Sequence, residues 1–207
     1  MERMKIAASA PPQVGGSLFT PEQLALVGTL AGPEAVVELT PFKQLYIETS
    51  AERMTALREA LERSGLETYP AGPVVKSLIA CNFCKGADDA GLDIARRLHR
   101  AIAGTPSPTP LKVGYAGCAL GTSEPLLKDI GVVKMKETFD IYVGGEPKGL
   151  KTSIAKLLVS GVTEERLVPA VSAVLDYYRT HAKGKEKFAK FVDRVTPEAL
   201  RRVAEAG

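Results

Sequence analysis

Hydrophobic residues recur along the first third of the chain at two different spacings. Short apolar runs and alternations predict strands, whereas apolar residues three and four positions apart predict helices. Thr20-Pro21-Glu22-Gln23 has the composition of a helix start with a capping box. The predicted elements are strands at 4–9, 35–40 and 44–48 and helices that begin after Thr20 and Ser50. This order predicts a small α+β layer over residues 1–70.

The second part of the chain begins after a boundary at Pro70 to Pro73 and repeats the two spacings. Predicted strands cover 74–80, 111–116, 130–133 and 139–143, and predicted helices cover 89–103, a long segment from 163, 185–195 and 197–206. Strands mixed with helices in this way predict an α+β fold with a second lobe at residues 71–207.

Composition and charge exclude several classes of protein. Of the 207 residues, 45% are hydrophobic and 25% are charged, which is the balance of an ordinary folded protein. A net charge of +3 is too small to indicate nucleic-acid binding. The longest apolar stretch, Leu24 to Ala31, is far shorter than a bilayer span. Without a secretory pattern at the amino terminus, we expect a cytoplasmic protein with no membrane contact.

Three cysteines lie where predicted strands end. Cys81 and Cys84 follow the strand at 74–80, and Cys118 follows the strand at 111–116 directly after Gly117. Thiolates bind soft metals, and neighbouring glycines leave backbone N–H groups free to approach an inorganic centre. The pattern favours a metal or iron–sulfur site, with a thiol redox pair or three inert buried thiols as alternatives.

A zinc site would need a fourth ligand, for which His99 is the only nearby candidate. It lies in the middle of a predicted helix, at the flank of the apolar stripe, so we expect a partly exposed surface histidine. His181 is expected to be solvated. The lysines from Lys183 to Lys190 form either a solvated helix face or a docking face for an acidic electron donor.

Taken in order, these segments resemble the sulfite and nitrite reductases that carry siroheme coupled to a [4Fe-4S] cluster, especially the short single-module members. Residues 20–66 resemble the family's ferredoxin-like half-domain. Thr40-Pro-Phe-Lys43-Gln44 stands where the family has Thr-Thr-Arg-Gln. The segment 80–85 is similar to the first cysteine motif, and the segment 112–118 is similar to the lysine-bearing strand that leads into the second.

The resemblance implies a fold, cofactors and roles for residues. The fold is an α+β ferredoxin-like half-domain followed by a nitrite/sulfite reductase-like α+β lobe. A [4Fe-4S] cluster would be bound by Cys81, Cys84 and Cys118, with siroheme as second cofactor, a small oxyanion as substrate and a ferredoxin-type electron donor. Lys43 and Lys112 would stabilise negative charge on the substrate or on tetrapyrrole carboxylates. The implied cofactor-binding residues are Gln44, Lys85, Gly117 and Thr122.

The chain departs from the family pattern at three positions. The first motif is Cys-x2-Cys instead of Cys-x5-Cys, and Thr122 stands where the second motif has its last cysteine. In the family that thiolate binds the cluster and bridges to the siroheme iron. Lys43 replaces an arginine and keeps its charge without the bidentate fork. The alternative is therefore a non-catalytic, degenerate member that binds a metal, a tetrapyrrole or a redox partner.

Overall fold

The part of the chain that the structure describes contains two β-sheets, each with its own apolar core. The computed structural model describes residues 2–148, 150 and 152–207. The strands are β1 (Arg3–Ser9), β2 (Val36–Leu39), β3 (Leu45–Ser50), β4 (Glu67–Pro70), β5 (Ile79–Ala80), β6 (Val113–Ala116), β7 (Ile130–Met135), β8 (Thr138–Val143) and β9 (Lys156–Val162). The helices are α1 (Pro21–Ala31), α2 (Ala51–Arg63), α3 (Leu92–Ile102), α4 (Glu164–His181), α5 (Phe188–Val195) and α6 (Pro197–Ala206).

The first sheet has the strand order β2-β3-β1-β4 with antiparallel pairs throughout. With α1 and α2 it forms a βαββαβ unit, so the predicted ferredoxin-like fold is confirmed. Thr20 and Gln23 form the predicted capping box, and Met54, Leu57 and Leu61 are buried on one face of α2. Ser50 stands at the start of α2, but its side chain makes no capping hydrogen bond.

The second sheet has the order β5-β6-β7-β8-β9. Strands β5, β6 and β7 run parallel, whereas β8 and β9 continue the sheet antiparallel. The carboxyl ends of β5 and β6 therefore lie side by side, and the loops that follow them start from one edge. The predicted strand at 74–80 is shorter in the structure, with only isolated bridges at Val74 and Val75 before β5.

Helices α3 to α6 contribute to the core of the second lobe. Leu92, Ala95, Leu98 and Ile102 of α3 are buried, as predicted. Tyr178 of α4 packs edge-on against Phe188 and Phe191 of α5, at centroid distances of 5.0 and 4.9 Å. None of the helices within the described ranges is long and apolar enough to cross a bilayer.

Polar contacts join the two lobes near the end of β5. The hydroxyl oxygens of Ser9 and Ser77 are 2.7 Å apart in a buried contact. The backbone N–H of Gly15 donates to the carbonyl oxygen of Asn82 at 3.0 Å. The first lobe thus lies directly against the segment that carries Cys81.

Candidate metal centre

Cys81, Cys84 and Cys118 line one cleft at the edge of the second sheet, together with Thr122. Cys81 comes directly after β5 and Cys118 comes two residues after β6, so parallel pairing of these strands brings the two loops together. All three cysteines are free thiols; Cys81 is buried, Cys84 is exposed and Cys118 is intermediate. The pairing that the sequence could not show therefore unites the three predicted ligands around one space.

Gly117 brings backbone close to the buried thiol. Its N–H donates to Sγ of Cys81 at 3.3 Å. A Cβ at this position would lie 2.6 Å from Cβ of Ala90 and 2.7 Å from its carbonyl oxygen. The Tyr115 hydroxyl donates to the same carbonyl at 2.9 Å and so fixes Ala90. Only glycine permits this approach, and an N–H directed at sulfur stabilises a thiolate.

The loop from Cys81 to Cys84 turns sharply at Phe83. Phe83 has a φ of 51°, in the left-handed region that non-glycine residues rarely adopt. Its ring is buried and stacks on Tyr115 at a centroid distance of 6.0 Å. This packing holds the turn, which places Cys84 at the surface while Cys81 stays inside.

Lys43 reaches the cysteine loop from the first lobe. Its Nζ donates to the carbonyl oxygen of Ala80, the residue before Cys81, at 3.1 Å. Burial lowers the pKa of the Lys43 ammonium, and the adjacent Cys81 thiol acts in the opposite direction. An ammonium group is thus held beside the first cysteine.

Gln44 is buried next to Lys43 at the junction of the lobes. Its Nε2 donates to Oγ of Ser77 at 2.7 Å. Its Oε1 is buried without a hydrogen-bond partner. An unpaired buried acceptor is unfavourable unless water or a ligand supplies a donor.

Lys112 and Lys85 occupy different surroundings. Lys112 precedes β6 and so lies at the opposite end of this strand from Cys118. Its backbone N–H donates to Oδ2 of Asp129 at 2.7 Å, and its Nζ is 4.0 Å from the same oxygen. Burial raises the pKa of Asp129 to about 6. Lys85, in contrast, lines the cysteine cleft itself.

Lys76 is a buried cation that the sequence analysis missed. It is only 1% exposed, and its Nζ donates to the carbonyl oxygen of Gly72 at 2.7 Å. The ammonium lies 5.7 Å from the ring centroid of Phe42 and 5.3 Å from that of Tyr46. Burial lowers its pKa to about 8. A lysine within the apolar run 74–80 was the available signal.

The prediction of a partly exposed His99 is wrong. His99 is 1% exposed, and its Nδ1 accepts a hydrogen bond from the N–H of Leu78 at 3.1 Å. Its Nε2 contacts the carboxylate of Glu67 and the hydroxyl of Tyr69. Position alone could not indicate burial, because residues of the first lobe cover this flank of α3. His99 ties β4 to α3 and does not line the cysteine cleft.

Within the described ranges, no three Cys, His, Asp or Glu side chains are arranged as ligands of one metal ion. A zinc site with His99 as fourth ligand is therefore not formed. The three cysteines line one cleft, and the thiolates of an iron–sulfur cluster bind different iron atoms rather than one ion.

Residues 75–206 match the family model described as the nitrite and sulphite reductase 4Fe-4S domain. The chain belongs to this family. It is 22% identical to an assimilatory-type sulfite reductase of Nitratidesulfovibrio vulgaris over 205 residues, covering 97% of this chain and 94% of that protein. It is 26% identical to a cobalt-factor III methyltransferase of Priestia megaterium over 184 residues, covering 89% of this chain but 34% of that protein.

Solved structures of the family share the fold. The NirA protein of Mycobacterium tuberculosis superposes with a TM-score of 0.65 and 19% identity, covering 95% of this chain and 39% of that one. Dissimilatory sulfite reductase I gives a TM-score of 0.75 with 11% identity, covering 98% of this chain and 69% of that one. The chain spans about a third or less of several curated relatives, among them a nitrite reductase large subunit of Klebsiella oxytoca, of which it covers 20%.

The family's cofactors are a [4Fe-4S] cluster and siroheme, and the residues present fit the two unequally. Three thiols around one cleft, one of them accepting a backbone N–H, are a suitable donor set for three iron atoms of a cluster. Thr122, which the sequence resemblance places at the position of the family's last cysteine, lines the same cleft, and its hydroxyl is a poor substitute for a thiolate on iron. The residues thus fit a cluster with three cysteine ligands and lack the thiolate that would couple it to siroheme.

Proposed function

We propose that this chain is a redox module of the nitrite/sulfite reductase type, which holds a [4Fe-4S] cluster at Cys81, Cys84 and Cys118 and supplies electrons for reduction of a small oxyanion. The observation that supports the proposal best is that three free cysteines, from loops after two adjacent parallel strands, line one cleft in a domain of this family. The cluster would supply the reversible storage of one electron at a time.

The surrounding residues have roles in binding and charge stabilisation. The N–H of Gly117 would stabilise the thiolate form of Cys81. Lys43, held at the carbonyl of Ala80, would offset the negative charge of three thiolates and of an approaching oxyanion. The buried ammonium of Lys76 is held by a carbonyl and two aromatic rings, and it is not among the residues that line the cysteine cleft.

Other residues would act at the margin of the site. Lys85 lines the cleft and would attract anions to it. Gln44, with its unpaired Oε1, would bind a donor group of a ligand or a water at the lobe junction. Lys112 is partly neutralised by Asp129, so its part in binding an oxyanion or a tetrapyrrole carboxylate would require a separation of that pair.

Electrons would enter at Cys84, because it is the exposed member of the three cysteines. A ferredoxin-type donor that docks over this cysteine would come closer to the cluster than at any point near buried Cys81. Lys85, Lys134 and Lys136 border the cleft beside it, with Asp89 and Glu137 as acidic neighbours. Such a border suits a donor with a mildly acidic surface.

Anaerobic purification followed by reconstitution with iron and sulfide tests the cluster. We expect a brown protein with a broad visible absorption and close to equal iron and sulfide. Replacement of Cys81, Cys84 or Cys118 by Ser should reduce the bound iron strongly, whereas the control Ser160→Ala, an exposed change in β9, should not. If all four variants bind iron as the wild type does, the thiols are not the ligands.

Oxyanion reduction is tested with a chemically reduced dye as electron source. Oxidation of the dye upon addition of sulfite or nitrite, lost in Cys84→Ser, would support reductase activity. Intense tetrapyrrole bands in the purified protein would add siroheme to the assignment.

The second candidate is a cluster-bearing module without reductase activity of its own. The feature that favours it is Thr122, since the thiolate that links cluster and siroheme in the family is missing. The similarity to a protein named for methyl transfer is consistent with use of the module beside another reaction. A reconstituted chain that accepts electrons yet leaves both oxyanions unchanged would favour this candidate.

A further inference from the structure

We infer that the cluster proposed above has one iron without a protein thiolate, beside Thr122, and that this iron is a binding site for a small inorganic anion of the sulfite and nitrite class. The inference rests on the proposed function, because it requires the cluster. It goes further by naming the ligand and the position on the cluster where it binds.

The donor atoms around the cleft leave this position open. Its lining consists of the three cysteines, Thr122, Lys85 and four apolar or glycine residues, namely Phe83, Ala90, Ala116 and Gly117. None of these others carries a thiol, an imidazole or a carboxylate. A [4Fe-4S] core has four irons, so three cysteines leave one iron to a ligand from outside this set.

Other potential ligands are engaged elsewhere. His99 is buried against Leu78, Glu67 and Tyr69 at the other side of the lobe junction. His181 is exposed near the end of α4 and stacks on Tyr177. Asp89 and Glu137 border an adjoining cleft of about 660 Å³ whose wall includes Cys118. These two carboxylates are therefore the protein groups that compete with an external anion, and the experiment must separate them from it.

The charges around the cleft favour an anion over a neutral or cationic ligand. Lys85 is the only charged residue among those that line it. Lys43 places its ammonium at the carbonyl of Ala80, next to Cys81. The Thr122 hydroxyl lines the same space and can donate a hydrogen bond to an oxygen of the bound anion. Binding would exchange a water on iron for the anion, with no change of oxidation state.

The adjoining cleft gives such an anion a path from solvent. Gly117, Cys118 and Lys85 line both spaces, so the larger cleft leads into the smaller one. Lys85 lies in the wall that the two clefts share, so an anion that enters through the larger cleft passes this ammonium group before it reaches Thr122.

Removal and replacement of one iron tests the inference. One equivalent of ferricyanide takes one electron from the [4Fe-4S]2+ cluster, and a cluster with an open iron then releases Fe2+ and leaves [3Fe-4S]+, which is detected by EPR. Refilling with 57Fe2+, together with one electron from a reduced viologen dye, restores the [4Fe-4S]2+ cluster and labels that iron alone, and Mössbauer spectroscopy follows it. We expect millimolar sulfite to change the labelled iron's quadrupole splitting in the wild type.

Three variants and one control sharpen the result. Thr122→Cys supplies the missing thiolate, so iron loss should slow by on the order of ten- to a hundredfold and sulfite should leave the spectrum unchanged. Thr180→Cys adds an exposed thiol at the far end of α4 and should behave as the wild type. Asp89→Asn and Glu137→Gln should each leave the labelled spectrum unchanged before sulfite is added.

The outcomes separate this inference from the proposed function. A wild-type chain that takes up no iron and sulfide refutes both. A complete cluster that releases no single iron, or whose labelled iron ignores sulfite, refutes only the open anion site. A labelled spectrum that already changes in Asp89→Asn or in Glu137→Gln, before sulfite is added, shows that a carboxylate occupies the position and also overturns the inference.

Discussion

Replacement of Gly117 by Ala should destabilise the protein and its metal centre together. The new Cβ would lie 2.6 Å from Cβ of Ala90 and 2.7 Å from its carbonyl oxygen. Carbon atoms in favourable contact are about 3.5–4.0 Å apart, so the segments that carry residue 117 and Ala90 must separate by about 1 Å. Overpacking of this kind costs about 1–3 kcal/mol. For a chain of this size the melting temperature should fall by about 2–12 °C.

The same displacement acts on the candidate ligand. The N–H of Gly117 donates to Sγ of Cys81 at 3.3 Å, and a shift of about 1 Å weakens or breaks this bond. We therefore expect the reconstituted Gly117→Ala protein to lose its visible absorption faster than the wild type in air. Thermal unfolding of the metal-free chain and bleaching of the reconstituted chain measure the two effects separately.

Two further variants serve as controls. Gly28 lies in α1, and a Cβ there meets nothing within 4 Å; Gly28→Ala should be neutral or stabilising by about 0.5–1 kcal/mol. Combining Gly117→Ala with Ala90→Gly removes the 2.6 Å contact but keeps the contact with the carbonyl, so only part of the stability should return. If Gly117→Ala melts and bleaches like the wild type, the close approach of Gly117 to Ala90 and Cys81 is not present in solution.

Three other changes test the buried polar groups. Burial raises the pKa of Asp129 to about 6, so the folded chain binds this proton more tightly than the unfolded chain. The free energy of unfolding of the wild type should therefore fall by up to about 3 kcal/mol as the pH rises from about 4 to 6. Urea unfolding of Asp129→Asn should not show that decline. Lys76→Met should raise the free energy of unfolding by about 1–2 kcal/mol at pH 7, because it removes a buried charge. Burial lowers the pKa of the folded lysine to about 8, so the gain measured by chemical unfolding should shrink between pH 8 and 10.5. An unchanged or lower stability at pH 7 would contradict the burial of a charged Lys76. His99→Ala leaves the buried Leu78 N–H without its acceptor, which should cost about 1–3 kcal/mol, whereas the Glu67 carboxylate keeps the Tyr69 hydroxyl as a donor. His99→Asn offers an amide oxygen as acceptor and should recover part of this loss in the same assay.

The local sequence was enough to predict those helices and strands that have a capping motif or a clear apolar spacing of their own. The Thr20 to Gln23 capping box defined the start of α1 because its donors and acceptors are three residues apart. Apolar spacing identified α3, because its buried face repeats with the helical period. The cysteines could be placed at strand ends from the chain alone, and their order with the surrounding motifs led to the family.

Tertiary structure decided what depends on residues far apart in the chain. The edge strands β4 and β9 have weak patterns of their own, and pairing with β1 and β8 defines them. Packing of β4 against α3 buries His99, which helical position alone predicted to be partly exposed. Sequence also could not rank the two candidate lysines. The contact between the lobes brings Lys43 to the carbonyl oxygen of Ala80, before Cys81, whereas Lys112 lies at the opposite end of β6 from Cys118. Local periodicity could not show this difference, because it contains no information on which surfaces meet.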